Sequence, residues 1–227
     1  RGVLDDDGKQ PLSEQVLHAL YELLRGFQAA HDASGGELLR APLDEKSDKV
    51  YHALLTVILR LVFLLYAEER DMLPEDETFV RSYSLAGLYE QLREDAALYP
   101  DTMDQRYGAW AGLLVLFRMI HDGAEAGAIR LPKRHGVLFN PDRFPFLEGR
   151  SGVGTRQIHE RIEPPLVPDG TIYRALEKLL VLDGERISYR ALDVEQIGSV
   201  YETMMGFRLN AGKLRIRKTT SVPRVVG

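Results

Sequence analysis

Apolar residues recur at three- and four-residue steps between residues 12 and 31. Val16, Leu17, Leu20, Leu23, Leu24 and Phe27 mark one helical stripe there, and Ser13 can cap it. Gly35 and Gly36 break the pattern, and the stretch to Pro42 reads as a loop. The strongest helix in the sequence runs from Ser47, its expected N-cap, to about Arg70, with Asp48 near the positive end of the dipole. Such an element spans about 36 Å at 1.5 Å per residue. Leu54, Leu55, Ile58, Leu59, Leu61, Val62, Leu64 and Leu65 leave it little polar face, so it is expected at the centre of the core. Pro74 stops it just beyond the charged turn at 68–71.

Helical spacing returns over 84–97, with Leu85, Leu88, Tyr89 and Leu92 facing inward. It returns again over 104–121, with Trp110, Leu113, Leu114, Leu116, Phe117 and Ile120, and ends at Gly123. Residues 123–169 are rich in glycine and proline and read as a small hairpin plus an irregular loop. Beyond them, 171–182 is a helix through Ile172, Leu176, Leu179 and Leu180, and 186–189 is a short strand. Asp193 and Gln196 form a capping box opening a helix to about Met205, which Gly206 terminates. Lys213-Leu214-Arg215-Ile216-Arg217 alternates with period two, as a surface strand does. The fold class implied is mainly α: a multi-helix domain with a long central helix at about 47–70 and a few short strands or hairpins. Three segments stand out, a helical domain at 1–122, a loop-rich segment at 123–170, and a helical pair with a basic C-terminal strand at 171–227.

Composition narrows the class. The chain has 227 residues, 44% hydrophobic and 28% charged, which suits a globular protein that buries a proper core. It has no cysteine, which excludes disulfides and thiolate metal sites and fits a reducing compartment, so a cytoplasmic location is expected. The N-terminus shows no signal-peptide pattern and no initiator methionine, so the sequence is expected to begin inside a longer protein. His52 and Arg60 interrupt the most hydrophobic stretch, 50–67, and an arginine at mid-span costs at least ~2.5 kcal/mol in a bilayer. A buried helix is therefore expected, with no membrane partner. The net charge of −5 argues against a protein that coats nucleic acid with its whole surface. Charge is unevenly spread, however: no acid follows Glu202, whereas Arg208, Lys213, Arg215, Arg217, Lys218 and Arg224 do. That tail either contacts phosphates or is a solvated strand face.

Candidate chemistry is sparse. Residues 149–154 contain glycines without the G-x-G-x-x-G spacing of a nucleotide loop. Asp142 and Glu148 resemble the paired acids of metal-dependent nucleases, but both lie in one short loop and the helping lysine is missing, so Asp142 is read as capping a turn. The six histidines show no helical zinc spacing and are read as solvent or core-edge residues. No G-x-S-x-G elbow occurs. Arg60 is expected to make a structural ion pair with another segment. No catalytic, cofactor-binding or metal residue is assigned; the possible DNA-binding residues are Arg208, Lys213, Arg215, Arg217 and Lys218.

A family resemblance adds to this. Residues 61–74 (LVFLLYAEERDMLP), 140–149 (NPDRFPFLEG) and 187–202 (ISYRALDVEQIGSVYE) together resemble the region upstream of the catalytic domain in large type IIG-like adenine-specific DNA methyltransferases, including methylase subunits of bacterial phage-defence systems. The likeness spreads over most of 50–206 and is most specific at Gly198-Ser199-Val200-Tyr201-Glu202. It implies a parent restriction-modification protein whose catalytic domain binds S-adenosylmethionine at a glycine-rich loop and holds a flipped adenine with an Asn-Pro-Pro-aromatic motif. Neither motif occurs in this chain: its Pro164-Pro165 lacks both the preceding Asn or Asp and the following aromatic, and Thr219-Thr220-Ser221-Val222-Pro223 does not reproduce the Tyr-Thr-Pro element that the family tends to carry at the start of its cofactor site. The implied role is a non-catalytic spacer or scaffold without a cofactor of its own. Its partners would be a downstream methyltransferase domain of the same chain and duplex DNA. A protein-contact module and a free-standing enzyme with its site in 123–169 are the alternatives.

Overall fold

The computed structural model describes residues 10–45, 48–150, 162–192, 194–205, 207–210 and 215–218. The fold is mainly helical, with short two-stranded antiparallel hairpins as its β-structure. Helix α1 is Gln10–Ala33, α2 Arg40–Glu45, α3 Asp48–Glu69, α4 Glu77–Ser82, α5 Leu85–Leu98, α6 Ala109–Asp122, α7 Asp169–Leu180 and α8 Val194–Met205. The hairpins are β1 Ala124–Ala126 with β2 Ile129–Leu131, β3 Val181–Leu182 with β4 Glu185–Arg186, and β5 Phe207–Asn210 with β6 Arg215–Lys218.

Helix α3 is the central element. By length and composition it could cross a bilayer, yet 78% of its apolar window is buried inside the protein, the environment of a core helix. Its C-terminus closes with Asp71 at φ 55°, while the Met72 N–H reaches back to the Ala67 carbonyl at 3.0 Å and the Asp71 N–H to that of Glu68. This is the left-handed capping turn that glycine usually supplies, and it ends the helix at Glu69, one residue from the expected Arg70. The expected N-cap, Ser47, lies outside the described residues.

Around α3 the helices interlock through a few polar ties laid over one continuous apolar cluster, to which residues from Val16 to Met204 contribute. The three segments set off in the sequence share this core. Helix α1 lies along α7, and Gly26 lets them approach closely, because a Cβ at that position would strike the Thr171 side chain. Arg174 of α7 fastens the contact, its Nε 2.9 Å from Glu22 Oε2 and its Nη2 3.1 Å from Asp104 Oδ1. Helices α5 and α7 meet where the Tyr89 and Tyr173 rings stack at 5.9 Å. The Tyr51 hydroxyl donates to the Met204 carbonyl at 2.5 Å and joins α3 to α8.

Several boundaries differ from the sequence expectation, each for a physical reason. The stretch expected to be a loop up to Pro42 gives way at Arg40 to α2, with Pro42 in its first turn, where the missing N–H costs nothing. Helix α4 follows Asp76, whose carboxylate accepts from the Thr78 and Phe79 N–H groups. Helix α6 begins at Ala109 instead of 104, after a 3-10 turn at Pro100–Gln105. Its cap comes from far along the chain: Asp169 Oδ1 accepts from the Gly108 and Ala109 N–H groups, both at 2.7 Å. The helix expected to reach residue 182 ends at Leu180, because Asp183 and Gly184, at φ 52° and 81°, make a two-residue hairpin turn. The strand there is 185–186 rather than 186–189, and Tyr189 is instead a buried anchor whose hydroxyl donates to the Leu179 carbonyl at 2.7 Å. Asp193, Gly206 and residues 151–155 lie outside the described residues.

Candidate functional site

Three places concentrate chemistry: the acid-bearing segment at 140–150, the basic ribbon at the C-terminal end, and the junction of α6 with the first hairpin.

The segment 140–150 winds in short 3-10 turns under α6 and buries Phe144, Phe146 and Leu147. The Trp110 indole N–H holds it by donating to the Leu147 carbonyl at 3.0 Å. Asn140, not Asp142, caps the turn, its Oδ1 accepting from the Asp142 N–H at 2.9 Å. Asp142 lies 2.8 Å from Arg150 Nη2; Glu148, almost fully buried, takes Arg150 Nε at 3.0 Å and Arg118 Nε at 2.8 Å on its two oxygens. The two acids that resemble a nuclease pair are therefore bridged by Arg150. A magnesium ion needs carboxylate oxygens that are not committed to guanidinium groups, so this chemistry is that of an ion-pair lock. Gly149 is required at its centre. Its φ is 75°, and a Cβ would drive into the Glu163 carbonyl.

Arg60 completes the same neighbourhood from α3 and corrects the expectation of an ion pair. Its partners are carbonyls and rings: Nε donates to Leu138 O at 2.7 Å, Nη2 to Asn140 O at 3.2 Å, and the guanidinium carbon sits 5.1 Å from the Phe117 ring centre and 5.9 Å from that of Phe139. Burial lowers its pKa to about 10, the Glu148 carboxylate opposing that fall and Arg143 adding to it. The group stays charged at neutral pH and fixes the start of the segment.

Beside this lock lies a cavity of about 580 Å³ bounded by Leu38, Pro42, Phe146, Asp142, Arg150 and Pro164. The cavity borders the 123–169 segment, and Asp142 and Arg150 are tied to each other within it.

No family model, curated protein or solved structure matches the chain. The functional reading therefore rests on the residues themselves and on the family resemblance.

The C-terminal ribbon brings several of the sequence-predicted DNA-binding residues together. Its register sets Arg208 opposite Arg217 and Asn210 opposite Arg215. Strand β5, Phe207–Asn210, alternates apolar and polar over only four residues, and its pairing with β6 establishes it as a strand. Lys213 lies outside the described residues.

At the α6 end, the structure gathers residues that sequence spacing kept apart. His121 and His135 meet edge to face with ring centres 5.3 Å apart, and the His135 N–H donates to the His121 carbonyl at 3.2 Å. His121 Nδ1 lies 2.9 Å from Asp122 Oδ1. One donor atom from each of His121, Asp122 and His135 falls within 4.8 Å of the other two. The available sequence signal was a pair of histidines flanking a hairpin, a topology that returns the chain to its starting point.

Proposed function

We propose that this chain is a non-catalytic helical scaffold region of an adenine-specific, type IIG-like DNA methyltransferase, and that its C-terminal ribbon contacts the phosphates of duplex DNA. The observation that supports the reading is the β5–β6 register, which sets Arg208 opposite Arg217 and Asn210 opposite Arg215 in a two-stranded ribbon, in a stretch of chain without acids. Guanidinium groups on a ribbon suit phosphate contact, because each neutralises one charge and releases a counterion. The parent protein's S-adenosylmethionine chemistry and role in restriction-modification come from the resemblance alone. They belong to a downstream domain that this scaffold would position.

Fluorescence anisotropy with labelled duplex DNA tests the contact. The 227-residue chain should bind at low salt. Replacing Arg208, Arg215 and Arg217 together by alanine should weaken binding at least about tenfold whatever the DNA sequence, since phosphate contacts position without specifying. Absence of binding at low salt overturns the reading. A protein-contact role draws support from Leu98 and Tyr99, 70% and 58% exposed at the end of α5. It predicts no DNA binding and loss of solvent exchange at these two residues once the downstream domain is added.

A further inference from the structure

We infer that His121, Asp122 and His135 form a binding site for one divalent transition-metal ion of the zinc class. That ion would clip the end of α6 to the chain leaving the β1–β2 hairpin. The inference is independent of the DNA-facing role.

The donor set is chemically specific. Two imidazoles and a carboxylate suit zinc, nickel, copper or cobalt, and poorly suit magnesium or calcium, which prefer oxygen ligands throughout. Their placement is built by the backbone rather than by chance surface crowding. His121 lies in the last turn of α6, where the helix dipole presents its negative end and favours a cation. Gly123, at φ 78°, turns the chain directly into β1. The hairpin register pairs Ala124 with Leu131, so the chain comes back beside its own starting point four residues before His135. There the His135 N–H binds the His121 carbonyl, which fixes one ring against the other.

His135 is also held at φ 38°, in the left-handed region that a residue with a Cβ rarely adopts. Backbone of this kind persists where its surroundings enforce it, and it gathers at ligand clamps. The spacing of the donors fits as well. One ligand atom from each residue lies within 4.8 Å of the other two, and His121 Nδ1 meets Asp122 Oδ1 in a 2.9 Å hydrogen bond that an ion with bonds of about 2.0–2.2 Å would replace. Three protein ligands leave at least one coordination position for water. Loop closure is the mechanical consequence. The ion would fix residues 121–135 immediately before Leu138 and Asn140, whose carbonyls receive Arg60.

Cobalt(II) titration of the full chain, followed by visible absorption, tests the site, with zinc competing by calorimetry. The expected result is one ion per chain, displaced by zinc. His135→Ala and the near-isosteric Asp122→Asn should each weaken binding by about tenfold or more, whereas His18→Ala, at an exposed position on α1, leaves it unchanged. Zinc should also raise the melting temperature of the wild-type chain and not that of His135→Ala, a readout independent of the absorption. Circular dichroism of the variants separates loss of ligand from loss of fold; if His135→Ala unfolds, Asp122→Asn decides. Failure to bind cobalt or zinc at millimolar concentration overturns the site. So does binding that His135→Ala and Asp122→Asn leave intact.

Discussion

Arg60 shows how a single buried charge can organise a segment without a carboxylate partner. Only 3% of it is exposed, and the desolvation this implies is offset by two carbonyls and two aromatic faces. Arg60→Met should cost about 2–3 kcal/mol in chemical denaturation, because it leaves the Leu138 and Asn140 carbonyls buried without their donor. Arg60→Lys should recover only part of that, since an ammonium cannot fork between the two oxygens. Asp169 is the second residue whose role is set by distance along the chain. Its carboxylate receives two N–H groups at the start of α6, so Asp169→Ala should destabilise by about 1–2 kcal/mol, with Asp169→Asn milder. A stability change under ~0.3 kcal/mol for the alanine variant would remove the cap from the account.

Two helices in this protein take part of their N-terminal cap from another element: α6 from Asp169, and α5 from α3. Glu68, near the end of α3, is half-buried and accepts from the Leu85 and Ala86 N–H groups at 2.5 and 3.1 Å, so one helix closes the start of another. Burial raises its carboxyl above the ordinary 4.5, the two N–H groups and Arg186 opposing that rise and Glu69 adding to it. A raised folded-state value means that the protonated form favours folding. This contribution is full below the unfolded value and is lost as pH rises through the folded value. Wild type should therefore lose stability relative to Glu68→Gln as pH climbs from about 4 towards neutrality, measured as paired urea midpoints. At the 145–149 turn, Gly149→Ala combines a left-handed φ with a collision at the Glu163 carbonyl and should cost about 2 kcal/mol or more.

These caps also explain what the sequence made legible. The stripes of α1, α3, α5 and α7 are local, since every third or fourth residue reports the same face, and periodicity finds them to within a few residues. The start of α6 was misplaced because its cap, Asp169, lies sixty residues away. Arg60 was misassigned because a single sequence shows the charge and not the carbonyls that meet it. The histidine pair went unseen because the hairpin, not the spacing, brings the rings together.

On the scale of the whole molecule, one apolar cluster runs through all three segments, and the acids that suggested catalysis are locked to arginines at its edge. The C-terminal ribbon sets Arg208 opposite Arg217 in a stretch of chain with no acid after Glu202. The salt dependence of duplex DNA binding tests the proposed role most directly. Plotted as log affinity against log salt, the wild-type chain should fall with a slope that decreases in magnitude by about 2–3 when Arg208, Arg215 and Arg217 are replaced by alanine, close to 0.9 per phosphate contact. An unchanged slope in the triple variant, or no measurable binding by wild type, would contradict a DNA-facing scaffold.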